Sequence, residues 1–170
     1  ERPVYIKHYP VNNLKDRAKQ WVRQAKALTE WQRTIQLHER SVPTTTPVAV
    51  GQHPEQGSYI ITEEIPAAQS LLEYVEEHWL LWQQQGDQQQ ARQLIVEVSQ
   101  FLARMLQNGI SHDDLHAGNI LIHLTPAGTR EWFLIDPYAV QTQPPCDRKA
   151  LRNTLALISH SFWHYLSPQQ

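Results

Sequence analysis

Three oxygen-bearing side chains are spaced so that they could hold a divalent cation and orient a hydroxyl group. Asp114 and Asn119 lie in one segment, SHDDLHAGNILI (residues 111–122), and Asp136 follows a second apolar segment. Phosphoryl transfer requires an in-line hydroxyl and cations on the phosphate oxygens rather than covalent help from the protein. Carboxylate and amide oxygens suit Mg²⁺, which binds them alongside phosphate and water. We therefore predict Asp114 as the base that orients an acceptor hydroxyl, with Asn119 and Asp136 as Mg²⁺ ligands.

A tight hairpin is needed to bring Asn119 and Asp136 together. The apolar residues 120–124 and 132–135 predict two short strands, and the intervening TPAGT (residues 125–129) has the composition of a hairpin turn. Asn119 would then lie at the start of the first strand and Asp136 directly after the second. Both side chains are expected at the same end of the hairpin.

The first part of the chain is predicted to form a strand, a long helix and two further strands. The β-branched and aromatic residues 4–9 indicate a strand with Lys7 in its middle. Two more strands are expected at residues 47–51 and 58–63. Across residues 14–40, apolar side chains recur at three- and four-residue steps, which predicts one apolar helical stripe. Its members are Leu14, Ala18, Trp21, Ala25, Leu28 and Ile35.

The rest of the chain is predicted to be mainly helical around the hairpin. An amphipathic segment at residues 70–82 precedes QQQGDQQQ (residues 83–90), whose composition favours a solvated loop. A helix is expected at about residues 91–108, and a closing helix at about residues 147–165 carries Leu151, Leu155, Ile158 and Phe162. The core face of the helix at 91–108 is predicted to comprise Leu94, Val98, Phe101, Leu102, Met105 and Leu106.

Composition and charge exclude several classes of protein. With 170 residues and 41% hydrophobic content, the chain suits one compact unit with a real core. The formal net charge of −2 gives no indication of nucleic-acid binding. A single cysteine, Cys146, indicates a reducing compartment. No apolar run approaches the ~20 residues that span a bilayer, and because the only methionine is Met105, Glu1 is not expected to be the natural start.

The loop at residues 112–119 resembles the catalytic loop of protein kinases. Its sequence fits the pattern H-x-D-L-x-x-x-N, and Asp136 lies where the D-F-G aspartate would be. More narrowly, HDDLHAGNILI is similar to the H-G-D-L-H-x-G-N-I-L of the bacterial lipopolysaccharide kinases, which phosphorylate Kdo or heptose of the inner core. Residues 29–31, 41–44 and 59–66 are similar to that family as well. The resemblance extends from Lys7 to about Leu157.

This resemblance implies a reduced protein-kinase-like α+β fold with two lobes. Residues 1–66 would form a partial N-terminal sheet with a long helix and the hinge. Residues 67–170 would form a small, mainly helical C-terminal lobe that carries the catalytic hairpin. The implied cosubstrate is ATP with Mg²⁺, and the implied acceptor is a sugar or glycolipid of the lipopolysaccharide core. The expected location is the cytoplasm, with peripheral contact at the cytoplasmic face of the bacterial inner membrane.

The resemblance also assigns residues to the nucleotide. Lys7 resembles the strand lysine that contacts the α- and β-phosphates, and Glu30 on the long helix would be its partner. The backbone of Glu63 and Ile65 would meet the adenine. On the helical wheel, however, Glu30 projects away from the apolar stripe, so it could reach Lys7 only if that side of the helix faces the cleft.

The chain departs from protein kinases in several ways. The residues before Lys7 include no glycine, so either a glycine-rich phosphate loop lies upstream or the hairpin that covers ATP is absent. Asp136 is followed by Pro137 rather than Phe-Gly, and Asp113 replaces the arginine that binds an activation-loop phosphate. Few residues follow Asp136 and no A-P-E motif occurs. A small-molecule or glycolipid acceptor is therefore favoured over a peptide.

Other interpretations of these residues remain open. The three oxygen-bearing residues are ordinary turn formers, Lys7 could be a solvated edge-strand lysine, and Glu30 a solvated helix residue. His112 and His116 could suggest zinc, although the glutamate of helical zinc peptidase motifs is missing. At the level of function, a non-catalytic pseudokinase-like binding module and an aminoglycoside- or choline-type kinase are the alternatives.

Overall fold

Short strands and four helices make up the part of the chain that the computed structural model describes. That part comprises residues 3–11, 24–53, 55–86, 88–142, 144–145 and 147–162. The strands are Val4–Pro10 (β1), Pro47–His53 (β2), Gly57–Glu63 (β3), Ala68–Ser70 (β4), Ile110–His112 (β5), Ile120–Leu124 (β6), Arg130–Leu134 (β7) and Val140–Thr142 (β8). The helices are Lys26–Glu39 (α1), Leu71–Gln85 (α2), Gln88–Gln107 (α3) and Arg148–Ser161 (α4).

The first sheet is antiparallel, with β3 between β1 and β2. Side chains alternate along a strand, and in β3 the buried set is Ser58, Ile60 and Thr62. Helix α1 packs on this face, and the Ser58 hydroxyl accepts a hydrogen bond from the Ala27 N–H at 3.3 Å. The register places Lys7 opposite Ile60. All three strands were predicted from the sequence within one or two residues at each end.

Helix α1 buries a different face from the predicted one. Its buried residues are Ala27, Glu30, Thr34 and Leu37, which follow one another at three- and four-residue steps. Of the predicted stripe, Ala25 is buried just before α1 begins, whereas Leu28 and Ile35 are only half-buried. The prediction of the core face was therefore wrong for this helix, because it assumed that a buried stripe is apolar. Residues 14–23 of the predicted helix lie outside the described residues.

A second antiparallel sheet, in the order β4–β6–β7, contains the predicted hairpin. Strands β6 and β7 pair from Ile120 with Leu134 to Leu124 with Arg130, and the Thr125 N–H is bonded to the Thr129 carbonyl in the turn. The prediction of the hairpin is confirmed. Strand β4 and the small β5–β8 sheet were not predicted, because each of these strands has only three residues.

Helices α2, α3 and α4 supply most of the core beside the hairpin. The predicted core face of α3 is confirmed in full: Leu94, Val98, Phe101, Leu102, Met105 and Leu106. The predicted loop at residues 83–90 is wrong, since α2 continues to Gln85 and α3 already begins at Gln88. Only the few residues around Gly86, with φ of +67°, separate them. Helix α4 buries Ala150, Thr154 and Ile158.

Two leucines of the predicted closing helix face solvent rather than the core. Leu151 and Leu155 are 45% and 51% exposed, and the predicted end of this helix beyond residue 162 lies outside the described residues. Cys146 also lies outside them. Within the described residues, no helix combines the length and apolar character needed to cross a bilayer.

The segment after α1 joins the first sheet and helix to the hairpin. The Leu134 N–H donates to the Pro43 carbonyl at 2.9 Å, and the buried Thr44 hydroxyl donates to the Leu134 carbonyl at 2.6 Å. The Arg40 guanidinium donates to the carbonyls of Asn108 and Gly109 at 2.9 and 3.3 Å, just after α3. These bonds connect the C-terminal end of α1 to the residues after α3 and to the end of β7, two residues before Asp136.

Candidate active site

The loop between β5 and β6 holds Asp114 by its backbone and leaves its carboxylate exposed. The Asp114 N–H donates to His112 Nδ1 at 3.2 Å, and the Asp114 carbonyl accepts from Asn119 Nδ2 at 2.9 Å. The chain then makes a 3₁₀ turn at Ala117–Asn119 and enters β6. Because the Asp114 N–H and carbonyl are both hydrogen-bonded, the main chain at Asp114 is held in place while its side chain is exposed to solvent. This is the arrangement that a base acting on an incoming hydroxyl requires.

His112 joins the loop to Asp136. Its Nε2 lies 3.0 Å from the Asp136 carbonyl, which can only accept, so this nitrogen carries the proton. Its Nδ1 faces the Asp114 N–H, which can only donate, so this nitrogen is the acceptor. Burial lowers the pKa of His112 below 6.5, although the carbonyl and carboxylate of Asp136 act to raise it. The neutral ring therefore ties the two aspartate segments together, and both of its nitrogens are occupied by main-chain groups.

Asn119 is oriented by the same loop. Its side chain is almost fully buried, and its amide nitrogen faces the Asp114 carbonyl, because a carbonyl oxygen cannot face another acceptor there. The amide oxygen is consequently the atom that could bind a cation. The Asn119 carbonyl accepts from the Ile135 N–H at 2.9 Å, so Asn119 is anchored to the residue immediately before Asp136.

Asp136 has a left-handed backbone, with φ of 52° and ψ of 55°, which is uncommon for residues other than glycine. Pro137 follows and begins a second 3₁₀ turn, Pro137–Ala139. The turn brings the Ala139 carbonyl to the Asp113 N–H at 3.0 Å. The Asp113 carboxylate accepts from Gln141 Nε2 at 3.0 Å, so it is engaged with β8.

Lys7 lies between two carboxylates. Its Nζ is 2.6 Å from Asp136 Oδ1 and 3.2 Å from Glu30 Oε2. Glu30 is nearly fully buried, whereas the Asp136 side chain is 46% exposed. Burial alone would lower the pKa of Lys7, but the hydrogen bonds to Asp136 and Tyr9 and the charge of Glu30 raise it above its ordinary value. Lys7 is therefore a fully charged ammonium, and it brings Glu30 and Asp136 together.

Sequence reasoning missed the contribution of Tyr9. Its hydroxyl donates to Glu30 Oε2, and its ring centroid lies 5.3 Å from Lys7 Nζ. Strand alternation could have identified it, because Tyr9 is two positions after Lys7 and so projects from the same face of β1.

Glu63 and Ile65 lie where β3 ends. Glu63 pairs with Val4, about 10 Å along β1 from Lys7 at roughly 3.3 Å per residue. The Glu63 N–H donates to the Thr46 carbonyl at 2.8 Å, and the Ile65 carbonyl accepts from the Ala68 N–H at 3.3 Å. Those two main-chain groups are therefore engaged within the fold.

Comparison with known proteins decides the family. A profile of the lipopolysaccharide kinase (Kdo/WaaP) family matches residues 2–167. The chain belongs to this family. The lipopolysaccharide core heptose(I) kinase WaaP of Pseudomonas aeruginosa (strain PAO1) is 27% identical over 143 residues, which are 79% of this chain and 52% of that protein.

Similarity to a solved structure supports the fold. WaaP in complex with acyl carrier protein matches with a TM-score of 0.62 and 26% identity, covering 79% of this chain and 58% of that chain. The chain therefore spans about half the length of the relatives it matches. The resemblance to the lipopolysaccharide kinases is confirmed, as is a mixed α/β fold of the kinase-like type. The division into two lobes at residue 66 stays a prediction.

Proposed function

We propose that this chain is the core of an ATP- and Mg²⁺-dependent kinase that phosphorylates a sugar hydroxyl, Kdo or heptose, of the lipopolysaccharide inner core. The cluster of Lys7, Glu30 and Asp136 supports this proposal most strongly, because these residues come from three separate parts of the chain and meet within 2.6 and 3.2 Å. His112 and Asn119 link that cluster to the exposed carboxylate of Asp114. Family membership supports the acceptor class.

The donor set fits a magnesium ion. The Asn119 amide oxygen and the Asp136 carboxylate are hard oxygen ligands, and Mg²⁺ commonly takes only one or two protein carboxylates beside water and phosphate. The ion would neutralise charge on the β- and γ-phosphate oxygens during transfer. Asn119 and Asp136 would hold it from the two neighbouring segments that the Ile135–Asn119 hydrogen bond keeps adjacent.

Lys7 and Asp114 would act on the two substrates. Lys7 would contact the α- and β-phosphates, and Asp136, its closer carboxylate partner here, would also serve as a magnesium ligand. The Glu63 carbonyl and the Ile65 N–H are the main-chain groups we assign to the adenine. Asp114 would accept the proton of the acceptor hydroxyl as the oxygen attacks the γ-phosphoryl group, and ADP would leave.

The test is phosphate transfer by the full-length protein that contains this chain. Mg²⁺–ATP is supplied with acceptors bearing Kdo, heptose, an aminoglycoside or choline, and the product is identified by mass. Asp114→Asn should lower kcat by at least about 100-fold, since general base catalysis contributes 10²–10⁴-fold. Asp113→Asn is the matched control, because Asp113 is the adjacent exposed carboxylate and is engaged with Gln141 instead. Equal transfer by wild type and Asp114→Asn would refute the role of Asp114.

Nucleotide binding separates the kinase from a non-catalytic binding module. ATP with Mg²⁺ at 100 times its Kd should stabilise the folded protein by about 2.7 kcal/mol. Absence of a thermal shift at millimolar Mg²⁺–ATP, together with absence of transfer, would favour the binding module.

A lipid-linked acceptor would place the enzyme at the cytoplasmic face of the bacterial inner membrane, which fractionation of cells would test.

We also propose that an acyl carrier protein binds this chain, as one does in the complex of WaaP. An apolar cavity of about 260 Å³ lies among α2, α3 and α4, and Ile95 and Leu155 at its lining are 60% and 51% exposed. Its apolar lining suits an aliphatic chain. Helix α4 carries exposed Arg148, Lys149 and Arg152 and no acidic residue, which complements an acidic partner.

Binding of acylated and unacylated carrier protein by the purified chain tests this partner. Leu155→Glu should weaken binding of the acylated form at least about tenfold, because it adds a charge at the cavity. Leu124→Glu is the control, since Leu124 is 47% exposed on β6 and does not line the cavity. Equal binding of both carrier forms, unaffected by Leu155→Glu, would exclude the cavity as the site.

A further inference from the structure

Tyr9 belongs to the charged cluster through its hydroxyl, which donates to Glu30 Oε2. The same carboxylate oxygen lies 3.2 Å from Lys7 Nζ. Glu30 is only 5% exposed, and a buried carboxylate is stable only when its oxygens are paired and hydrogen-bonded. Tyr9 and Lys7 together supply those partners, and they come from the same face of one strand.

We propose that Tyr9 is a positioning residue of the kinase site, which holds the Glu30 carboxylate so that Glu30 in turn directs Lys7 to the nucleotide phosphates. This inference rests on the proposed function. Tyr9 would not touch the substrate; it would act on Lys7 mainly through Glu30, beside its own hydrogen bond with Lys7.

The two carboxylate partners of Lys7 explain why such a residue is needed. Asp136 is the closer partner, but it is also the residue assigned to magnesium, so the nucleotide complex would draw it away from Lys7. Glu30 then becomes the remaining carboxylate that orients the ammonium group. An ion pair made by a long lysine side chain has little directional preference, so the position of Glu30 determines where Lys7 Nζ lies.

The sheet makes Tyr9 a suitable anchor. Tyr9 pairs with Ser58 in the register of β1 and β3, and the Ser58 hydroxyl accepts from the Ala27 N–H at the start of α1. The helix turn that carries Glu30 is thus tied to the sheet twice, once through Ser58 and once through Tyr9. A displacement of α1 away from the sheet would break both bonds.

The surroundings of Tyr9 keep its hydroxyl a donor. Burial, followed by the hydrogen bond to Glu30, raises the pKa of Tyr9 above its ordinary value. Lys7 Nζ and Lys26 Nζ lie 5.3 and 5.9 Å from the ring centroid, at distances where an ammonium is attracted to an aromatic face. The ring is therefore held in place independently of its hydroxyl, and Tyr9→Phe removes the hydrogen bonds of the hydroxyl with Glu30 and Lys7 without removing the packing.

Steady-state kinetics of Tyr9→Phe test the proposal in the full-length protein. We expect KM for ATP to rise at least about fivefold and KM for the sugar acceptor to stay unchanged, since a hydrogen bond to a charged group is lost only at the nucleotide side. Tyr59→Phe is the matched control: Tyr59 lies in the same sheet and is 40% exposed, with its ring over Gly51. It should leave both KM values unchanged.

A double-mutant cycle shows whether Tyr9 acts through Glu30. In a Glu30→Gln background, Tyr9→Phe should change KM for ATP by less than about twofold, because the carboxylate it positions is absent. An unaltered KM for ATP in Tyr9→Phe, measured beside an active wild type, would overturn the Tyr9 proposal alone. A wild type that neither binds ATP nor transfers phosphate would overturn the kinase assignment, and the role of Tyr9 with it.

Discussion

The imidazole of His112 offers the sharpest test of how the site is built. His112→Phe keeps a planar ring of similar size but removes the donor that faces the Asp136 carbonyl and the acceptor that faces the Asp114 N–H. His112 is 2% exposed, so water has little room to replace the ring nitrogens. Both main-chain groups lose their partner, and the connection between the two aspartate segments is cut.

The magnitude follows from those two bonds. A group left without a hydrogen-bond partner costs about 1–3 kcal/mol when buried. Both hydrogen bonds are partly buried, so we expect a total loss of about 2–4 kcal/mol in the free energy of unfolding. For a chain of this size, each kcal/mol lowers Tm by about 2–4 °C. The expected decrease in Tm is therefore about 4–16 °C.

Thermal unfolding and transfer activity are measured on the same preparation, with activity assayed well below the Tm of the variant. We expect kcat to decrease by more than the loss of folded protein would account for, because the Asp114 N–H has lost its hydrogen bond to His112. His112→Gln, which retains one donor and one acceptor, should recover part of the loss. His160→Phe is the control, since His160 is exposed on α4. A Tm for His112→Phe within about 1 °C of the wild type would refute this account.

Three further changes test separate parts of the framework. Gly57→Ala should lower the free energy of unfolding in urea by more than Gly128→Ala does, because both glycines have positive φ but only at Gly57 would the new methyl group meet the backbone of β1. Thr44→Val should cost about 0.5–1.5 kcal/mol in the same assay, as it removes the buried hydroxyl that donates to the end of β7. The N–H and the hydroxyl of Ser70 both donate to the Glu73 carboxylate, and these bonds lower the pKa of Glu73 below 4.5. The ionised carboxylate therefore stabilises the fold above about pH 4.5, and this stabilisation is lost as the pH falls through the lowered pKa. In Ser70→Ala, the difference in Tm between about pH 7 and about pH 3.5 should therefore be smaller than in the wild type.

The sequence predicted those features whose signal is local. The hairpin and the core face of α3 were correct, since a turn-forming segment and a helical period of apolar residues each identify the element without reference to the rest of the chain. The loop at residues 112–119 was selected as the candidate catalytic loop because its residue types and spacing resemble a known pattern. Lys7 of β1 was selected by the resemblance to the strand lysine of kinases, since the strand pattern alone also allowed a solvated edge-strand lysine.

The features that the sequence did not predict depend on distant partners. Glu30 and Thr34 lie on the buried face of α1. The helical wheel placed Glu30 opposite the apolar stripe, and only the resemblance to the kinases paired it with Lys7. Glu30 is buried because Lys7 and Tyr9 of β1 contact its carboxylate, and the sequence of α1 itself does not indicate those partners. The prediction of a loop at residues 83–90 was wrong because it rested on the glutamine-rich composition alone. The two helices on either side extend almost to Gly86.

The position of Glu30 is fixed at both ends of α1, and this bears on how the site could be regulated. At the C-terminal end, Arg40 is bonded to two carbonyls just after α3, and Thr44 is bonded to the last residue of β7. At the N-terminal end, Tyr9 and Ser58 connect the helix to the sheet. Kinases that are switched by movement of the corresponding helix need it to be free to shift. Because α1 is held at both ends, and Asp113 lies where the protein kinases that this loop resembles have a phosphate-binding arginine, we expect the Lys7–Glu30 pair to form without a movement of α1.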